Sequence, residues 1–256
     1  MSNRLLTNIL LFGILAPLHA QNNGFMPFTY EKKEQLLPYQ LLLPINYSPA
    51  NKYPLVVFLH GSGERGEDNQ LQLVHGSSLF LSEENRKNYP AIVVFPQCPT
   101  NAYWASLSGN LSDSTPFLEK PKKNNPLKLV EGLIRELQST YSVDKNRIYV
   151  GGLSMGGMGT FELVYRKPRK FAAAFAICGG ANPKIARKIR RPVWRIDHGE
   201  EDRVVPIRHS ERMVEALQKE NAEISYFSYP GVFHDSWNNV FADPNFLPWL
   251  FAQRKP

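Results

Sequence analysis

Short, strongly apolar runs alternate with longer amphipathic stretches along most of the 256-residue chain. Runs at 28–33 and 39–43, separated by a turn region at Leu37-Pro38, are expected to open a sheet as an antiparallel pair. Runs at 55–60 and 91–95 are apolar at nearly every position, the pattern of strands covered on both faces in a parallel sheet. Over 126–141, Leu127, Val130, Leu133, Ile134 and Leu137 recur at helical spacing and predict an amphipathic helix. Asp144-Lys145-Asn146 reads as a turn and 147–150 as the next strand. A helix over 154–166, strands at 171–177 and 192–198, and a helix over 207–218 with Met213, Val214 and Leu217 inward follow. A strand at 224–229 and a helix within 236–251 close the series. This alternation predicts an α/β fold: one mostly parallel sheet of about eight strands with helices on both faces.

The first twenty residues break the pattern. Arg4 precedes a mostly apolar stretch, 5–18, too short to cross a bilayer, which needs about 20 apolar residues. It ends in Pro17 and a small residue and is expected to be a signal peptide cleaved after Ala20. The mature chain would then be a single domain over 21–256, secreted or periplasmic.

Composition narrows the classes. At 43% hydrophobic and 21% charged residues, the chain has enough apolar content to bury a core, which excludes a disordered protein. Its net charge of +7 is concentrated in Arg166-Lys167-Pro168-Arg169-Lys170 and in 184–191. Neither run interleaves aromatics or carries a nucleic-acid motif, so both read as solvated surface rather than a nucleic-acid site. Only Cys98 and Cys178 are present, too few for a disulfide scaffold, and two separate buried thiols are expected. The scattered histidines give no metal-ligand spacing, so no metal is expected. The polar stretch 105–125 is long for a loop and is expected to be a flap beside the active site.

The sharpest chemical pattern is Gly152-Leu153-Ser154-Met155-Gly156, a Gly-x-Ser-x-Gly element with a strand before it and a helix after it. Small residues two before and two after the serine permit a tight, strained turn that holds the hydroxyl clear of the sheet, at a helix N-terminus that favours developing negative charge. Ser154 is therefore the expected nucleophile. A serine needs a base, and the base an orienting carboxylate, in the chain order serine, acid, histidine. Asp202 and His234 follow the strands ending at His198 and Tyr229 and fill these roles. Glu200 and Glu201 lie earlier in the same loop and are less favoured as the acid. Among the other histidines, His198 is expected to brace its turn, His209 to face solvent from a helix, and His75 to sit in an early loop. Asp235 is expected to cap the following helix. The oxyanion needs two converging donors: the Met155 N–H and one from His60-Gly61-Ser62-Gly63, with Ser62 first and Gly63 next. Gly61 to Gly66 formally matches a dinucleotide loop, but Glu64 inside it would repel a pyrophosphate.

Taken together, Leu59-His60-Gly61-Ser62-Gly63-Glu64-Arg65-Gly66, Pro96-Gln97-Cys98-Pro99, the Ser154 motif with Gly157, His198-Gly199 to Pro206, and Phe233-His234-Asp235-Ser236-Trp237 resemble the α/β-hydrolase superfamily. The resemblance is to secreted esterases near the dienelactone-hydrolase, phospholipase/carboxylesterase and prolyl-oligopeptidase-like groups. It implies hydrolysis of a small-molecule or polysaccharide-linked ester through an acyl-enzyme, with no metal or organic cofactor. No nucleic-acid partner and no stable membrane insertion are expected. Trp104 and Trp237 become candidates to line the acyl or alcohol pocket. A small peptidase or amidase using the same residues is the sister reading, and a non-catalytic binding module on the same scaffold is the rival.

Overall fold

The computed structural model describes residues 24–113, 116–120, 122 and 126–255, so the expected signal peptide at 1–20 lies outside the described residues. Strands β1 (Met26–Lys32) and β2 (Gln35–Leu42) pair antiparallel, from Met26 opposite Leu41 to Lys32 opposite Gln35. The turn between them is Lys33-Glu34, not Leu37-Pro38. Both turn residues take positive φ (48° and 63°), the geometry that matches a two-residue hairpin to strand twist. Pro38 lies inside β2 and still serves the sheet by accepting a hydrogen bond from the Gln97 N–H.

β3 (Tyr53–Leu59) is buried throughout. Two short helices, α1 (Ser77–Leu81) and α2 (Glu83–Asn88), lead to β4 (Ile92–Pro96). There follow α3 (Leu127–Thr140), β5 (Val143–Leu153), α4 (Met155–Arg166), β6 (Ala173–Ile177) and the single turn α5 (Ala186–Ile189). The chain continues through β7 (Val193–Gly199), α6 (Arg208–Lys219), β8 (Ile224–Tyr229), α7 (Trp237–Ala242) and α8 (Phe246–Ala252). The sheet order is β1-β2-β4-β3-β5-β6-β7-β8, with antiparallel pairing up to β4 and parallel pairing from there on.

The alternation of β3 explains the layers. Leu55, Val57 and Leu59 join a core with Leu133 and Ile134 of α3, Phe161 of α4 and Met213 of α6. Val56 and Phe58 point the other way, to Phe80, Val240, Phe246 and Leu250 of α1, α7 and α8. Each of these fully buried side chains contributes about 2 kcal/mol of transfer free energy. Asp144-Lys145-Asn146, expected to be a turn, falls inside β5. The turn chemistry is present, since Asp144 Oδ1 accepts from the Asn146 N–H at 3.0 Å. Pairing with β3 jumps there, from Tyr53 opposite Val143 to Leu55 opposite Ile148, and the strand resumes beyond the irregularity.

The start of α4 is pressed onto the end of β3. A Cβ added at Gly156 would lie 1.9 Å from the Leu59 carbonyl oxygen, and one at Gly152 would lie 2.3 Å from the same atom. Backbone cannot yield as a flexible side chain does. Gly156→Ala is therefore expected to cost about 3 kcal/mol or more in urea unfolding, or to prevent folding. A variant within about 1 kcal/mol of the parent would contradict this packing.

Candidate active site

Ser154 occupies the single position between β5 and α4, with φ 52° and ψ −116°. Positive φ is costly for a residue with a Cβ, by about 1–3 kcal/mol, and persists only where neighbours fix it. Here they do: the Ser154 N–H donates to Ile177 O at 2.8 Å, and the Met158 N–H donates to Ser154 O at 3.0 Å. The turn leaves Oγ facing His234, whose Nε2 lies 2.9 Å away. His234 Nδ1 lies 2.7 Å from Asp202 Oδ2. With a carboxylate on Nδ1, the ring carries its hydrogen there and leaves Nε2 free to accept from the serine hydroxyl.

Two loops bring the imidazole and the carboxylate together. The Glu200 N–H donates to Tyr229 O and the Glu201 N–H to Val232 O, stitching the loop after β7 to the loop after β8. Gly199 makes the approach possible, since a Cβ there would meet the Phe233 carbonyl oxygen at 2.2 Å. Within the first loop, Asp202 Oδ1 accepts from the Val204 and Val205 N–H groups at 2.8 and 2.9 Å. Burial alone would raise the Asp202 carboxyl, but hydrogen bonds from His198, His234 and Val205 outweigh it and hold the group well below the ordinary carboxylate range. The aspartate is thus a fixed negative charge behind His234.

The loop after β3 supplies the other wall. A Cβ on Gly61 would lie 3.8 Å from Ser154 Cβ, so this loop passes directly against the serine. Ser62 opens a short 3₁₀ turn, Ser62–Glu64, on the exposed side of it. Met155 is the first residue of α4, where backbone N–H groups have no intrahelical acceptor. The arrangement can generate a serine nucleophile and meet an oxyanion with backbone donors.

Sequence and structural comparisons agree on family and fold. Residues 45–246 match the model of the phospholipase/carboxylesterase family. The chain belongs to that family. It is 31% identical over 150 residues to the bifunctional acetylxylan esterase/xylanase XynS20E of Neocallimastix patriciarum, covering 57% of this chain and 19% of the relative. To feruloyl esterase C of Emericella nidulans it is 25% identical, covering 76% and 72%. A solved thermostable esterase superposes with a TM-score of 0.83 at 37% identity, over 91% of this chain and 64% of the other. The fold is that of the α/β-hydrolases, and all three of these proteins carry an esterase name. The chain thus spans about a fifth of the first relative and just under two thirds of the solved esterase.

The other residues that the sequence singles out take varied places around the site. Trp104 is completely buried. Its indole N–H donates to His60 O at 3.2 Å, beneath the loop after β3. Trp237, half-buried, stands edge-on to His234 at 5.5 Å between ring centres. His209 does not face solvent. It is buried, with Nε2 2.7 Å from Leu111 O and its ring edge-on to Phe117, because Leu111, Ser112 and Phe117 lie over the start of α6. Phe117 also packs against Met158 and Val205, beside the Asp202 loop. His198 braces its turn, with Nε2 2.8 Å from Val205 O. Asp235 makes no side-chain cap on α7; its carboxylate accepts from the Asn238 side chain instead. Glu200 accepts from Ser228 Oγ and does not reach His234.

Cys98 and Cys178 are both free and buried. Cys178 Sγ lies within 4.8 Å of ligand atoms of Asp202 and His234, the one such trio among the described residues. Burial and then the Asp202 charge push this thiol's ionisation up, and a metal ligand needs the thiolate.

His60, one residue before the Ser62 loop, was not singled out by any motif for a role of its own. Its Nδ1–H donates to Gly61 O at 2.6 Å, and its Nε2 accepts from the Cys98 N–H at 2.9 Å. Acceptance at Nε2 requires the neutral ring, and burial lowers its pKa from 6.5 to about 4 despite the bond to Gly61 O, which favours the charged form. Between these values the unfolded chain binds a proton that the folded protein does not, so stability rises with pH across the window and falls as acid is added. The expected loss between pH 7 and pH 4 is about 3 kcal/mol from this residue. Urea unfolding at both pH values measures it. His60→Gln, though weaker at pH 7, should lose correspondingly less, and an equal fall in both proteins would contradict the assignment.

Proposed function

We propose that the chain is a serine carboxylic-ester hydrolase working through an acyl-enzyme, with Ser154 as nucleophile, His234 as general base and then acid, and Asp202 as the residue that orients it. The observation carrying this reading is the unbroken series Ser154 Oγ, His234, Asp202 at 2.9 and 2.7 Å, set on a strained strand–helix turn. Ser154 attacks the ester carbonyl as its proton passes to His234 Nε2. Asp202 stabilises the imidazolium so formed. The oxyanion is received by the Met155 and Ser62 N–H groups, and removing one such donor typically costs about 10²–10³ in rate. Collapse expels the alcohol, which takes the proton from His234, and water then repeats the sequence on the acyl-enzyme.

The names of the relatives, an acetylxylan esterase/xylanase and a feruloyl esterase, support an ester carried on a plant polysaccharide or a soluble fragment of one as the substrate. The reading of 1–20 as a signal peptide places the enzyme outside the cytoplasm, where such polymers are met. No helix among the described residues is long and apolar enough to cross a membrane.

Acetyl, butyryl, long-chain and feruloyl esters assayed with the parent and Ser154→Ala test the proposal. The variant should lose about 10³-fold or more in kcat with little change in binding. Asp202→Asn should lose about 10³–10⁴-fold, because it holds the wrong tautomer of the base. Ester turnover that survives Ser154→Ala would remove Ser154 from the mechanism.

A further inference from the structure

Beside the site stands a second imidazole. His75 lies on the loop before α1, and its ring centre is 5.0 Å from that of Trp237, the same indole that stands edge-on to His234. The backbone fixes this placement. Gly76, next in the chain, has φ +81°, and a Cβ there would meet Phe241 Cζ at 3.0 Å and Phe58 Cζ at 3.1 Å. His75 Nε2 faces Glu64 Oε1 at 3.7 Å, and about a third of the His75 side chain remains exposed.

Glu64 itself is held in an unfavourable setting. Its Oε2 is buried without a hydrogen-bond partner, packed against Gly61 of the loop that borders Ser154. A carboxylate oxygen kept this way costs about 1–3 kcal/mol or more. The stability of the fold gains little in return, since its one ion-pair contact among the described residues is the partly exposed His75. The expense is explained if Glu64 serves to orient His75. A carboxylate facing Nε2, at 3.7 Å, favours the tautomer with hydrogen on that nitrogen and leaves Nδ1 as an acceptor.

We propose that His75 is a specificity residue for the alcohol half of the ester, its Nδ1 accepting a hydrogen bond from a second hydroxyl on that alcohol, with Glu64 as its positioning residue. The inference rests on the serine-esterase reading: the leaving oxygen takes its proton from His234, so the alcohol lies on the His234–Trp237–His75 side. The chemistry recognised is a polyol, and either a sugar or glycerol would supply it.

The test holds the acyl group constant, at the one the parent hydrolyses fastest. It compares the methyl ester, the glycerol monoester and the monoester of methyl β-xyloside. His75→Ala should lower kcat/KM about tenfold for the glycerol or xyloside ester, mainly through KM, and leave the methyl ester within about twofold. Glu64→Gln should lower the same esters about threefold, and His75→Asn, which keeps an acceptor, should recover part of the loss. A loss confined to the xyloside ester identifies a sugar, and one confined to the glycerol ester identifies glycerol. Equal losses on all three esters, no loss on any, or a parent enzyme indifferent to the extra hydroxyls would overturn the role of His75 while leaving the esterase reading intact. Failure of the parent to hydrolyse any ester would instead remove the esterase reading itself.

Discussion

The contact between the first turn of α4 and the carbonyl end of β3 governs the rest of the molecule. Gly152 and Gly156 both lie so close to Leu59 O that no side chain fits between them. Only with that contact made can the chain reverse within one residue at Ser154. The reversal in turn sets the hydroxyl against the Gly61 loop on one side and His234 on the other. The strain at Ser154 is local, and it is offset by the parallel sheet around it, since β6 accepts the Ser154 N–H through Ile177.

A second constraint is electrostatic. Asp202 has no side-chain exposure, and a carboxylate so placed is tolerable only when hydrogen-bonded. Two backbone N–H groups and two imidazoles meet that need, so the negative charge is present before any substrate arrives. Such preorganisation is what makes an electrostatic group effective in a transition state, because nothing must reorient as charge develops. The loop after β3 is preorganised differently, through the neutral ring of His60 and the indole N–H of Trp104 bonding to its start.

Features encoded locally were readable from the sequence. The Ser154 element combines a strand, a strained turn and a helix within about twenty residues, and periodicity alone located most strands and the α3, α4 and α6 helices. The chain order of acid and base placed Asp202 and His234 on the loops that the structure brings together. What depended on distant packing was not readable. Leu37-Pro38 resembled a turn because proline usually ends strands, yet the positive-φ pair Lys33-Glu34 makes the reversal. His209 reads as a surface residue because Leu111 and Phe117, which cover it, lie in a stretch without a periodic pattern. The burial of Trp104 beneath the loop after β3 and its bond to His60 O likewise depend on packing between distant segments. His75 had no motif, but its position before a glycine and eleven residues from Glu64 in one loop region was the available clue.

The central claim is that Ser154 Oγ is the atom that bonds to the acyl group. Reaction with a fluorophosphonate, followed by peptide mass spectrometry, tests this most directly. A single adduct on the peptide containing Ser154 is expected, formed in step with loss of ester hydrolysis and abolished by His234→Ala. Inactivation with the label on any other residue, and Ser154 unmodified, would contradict it.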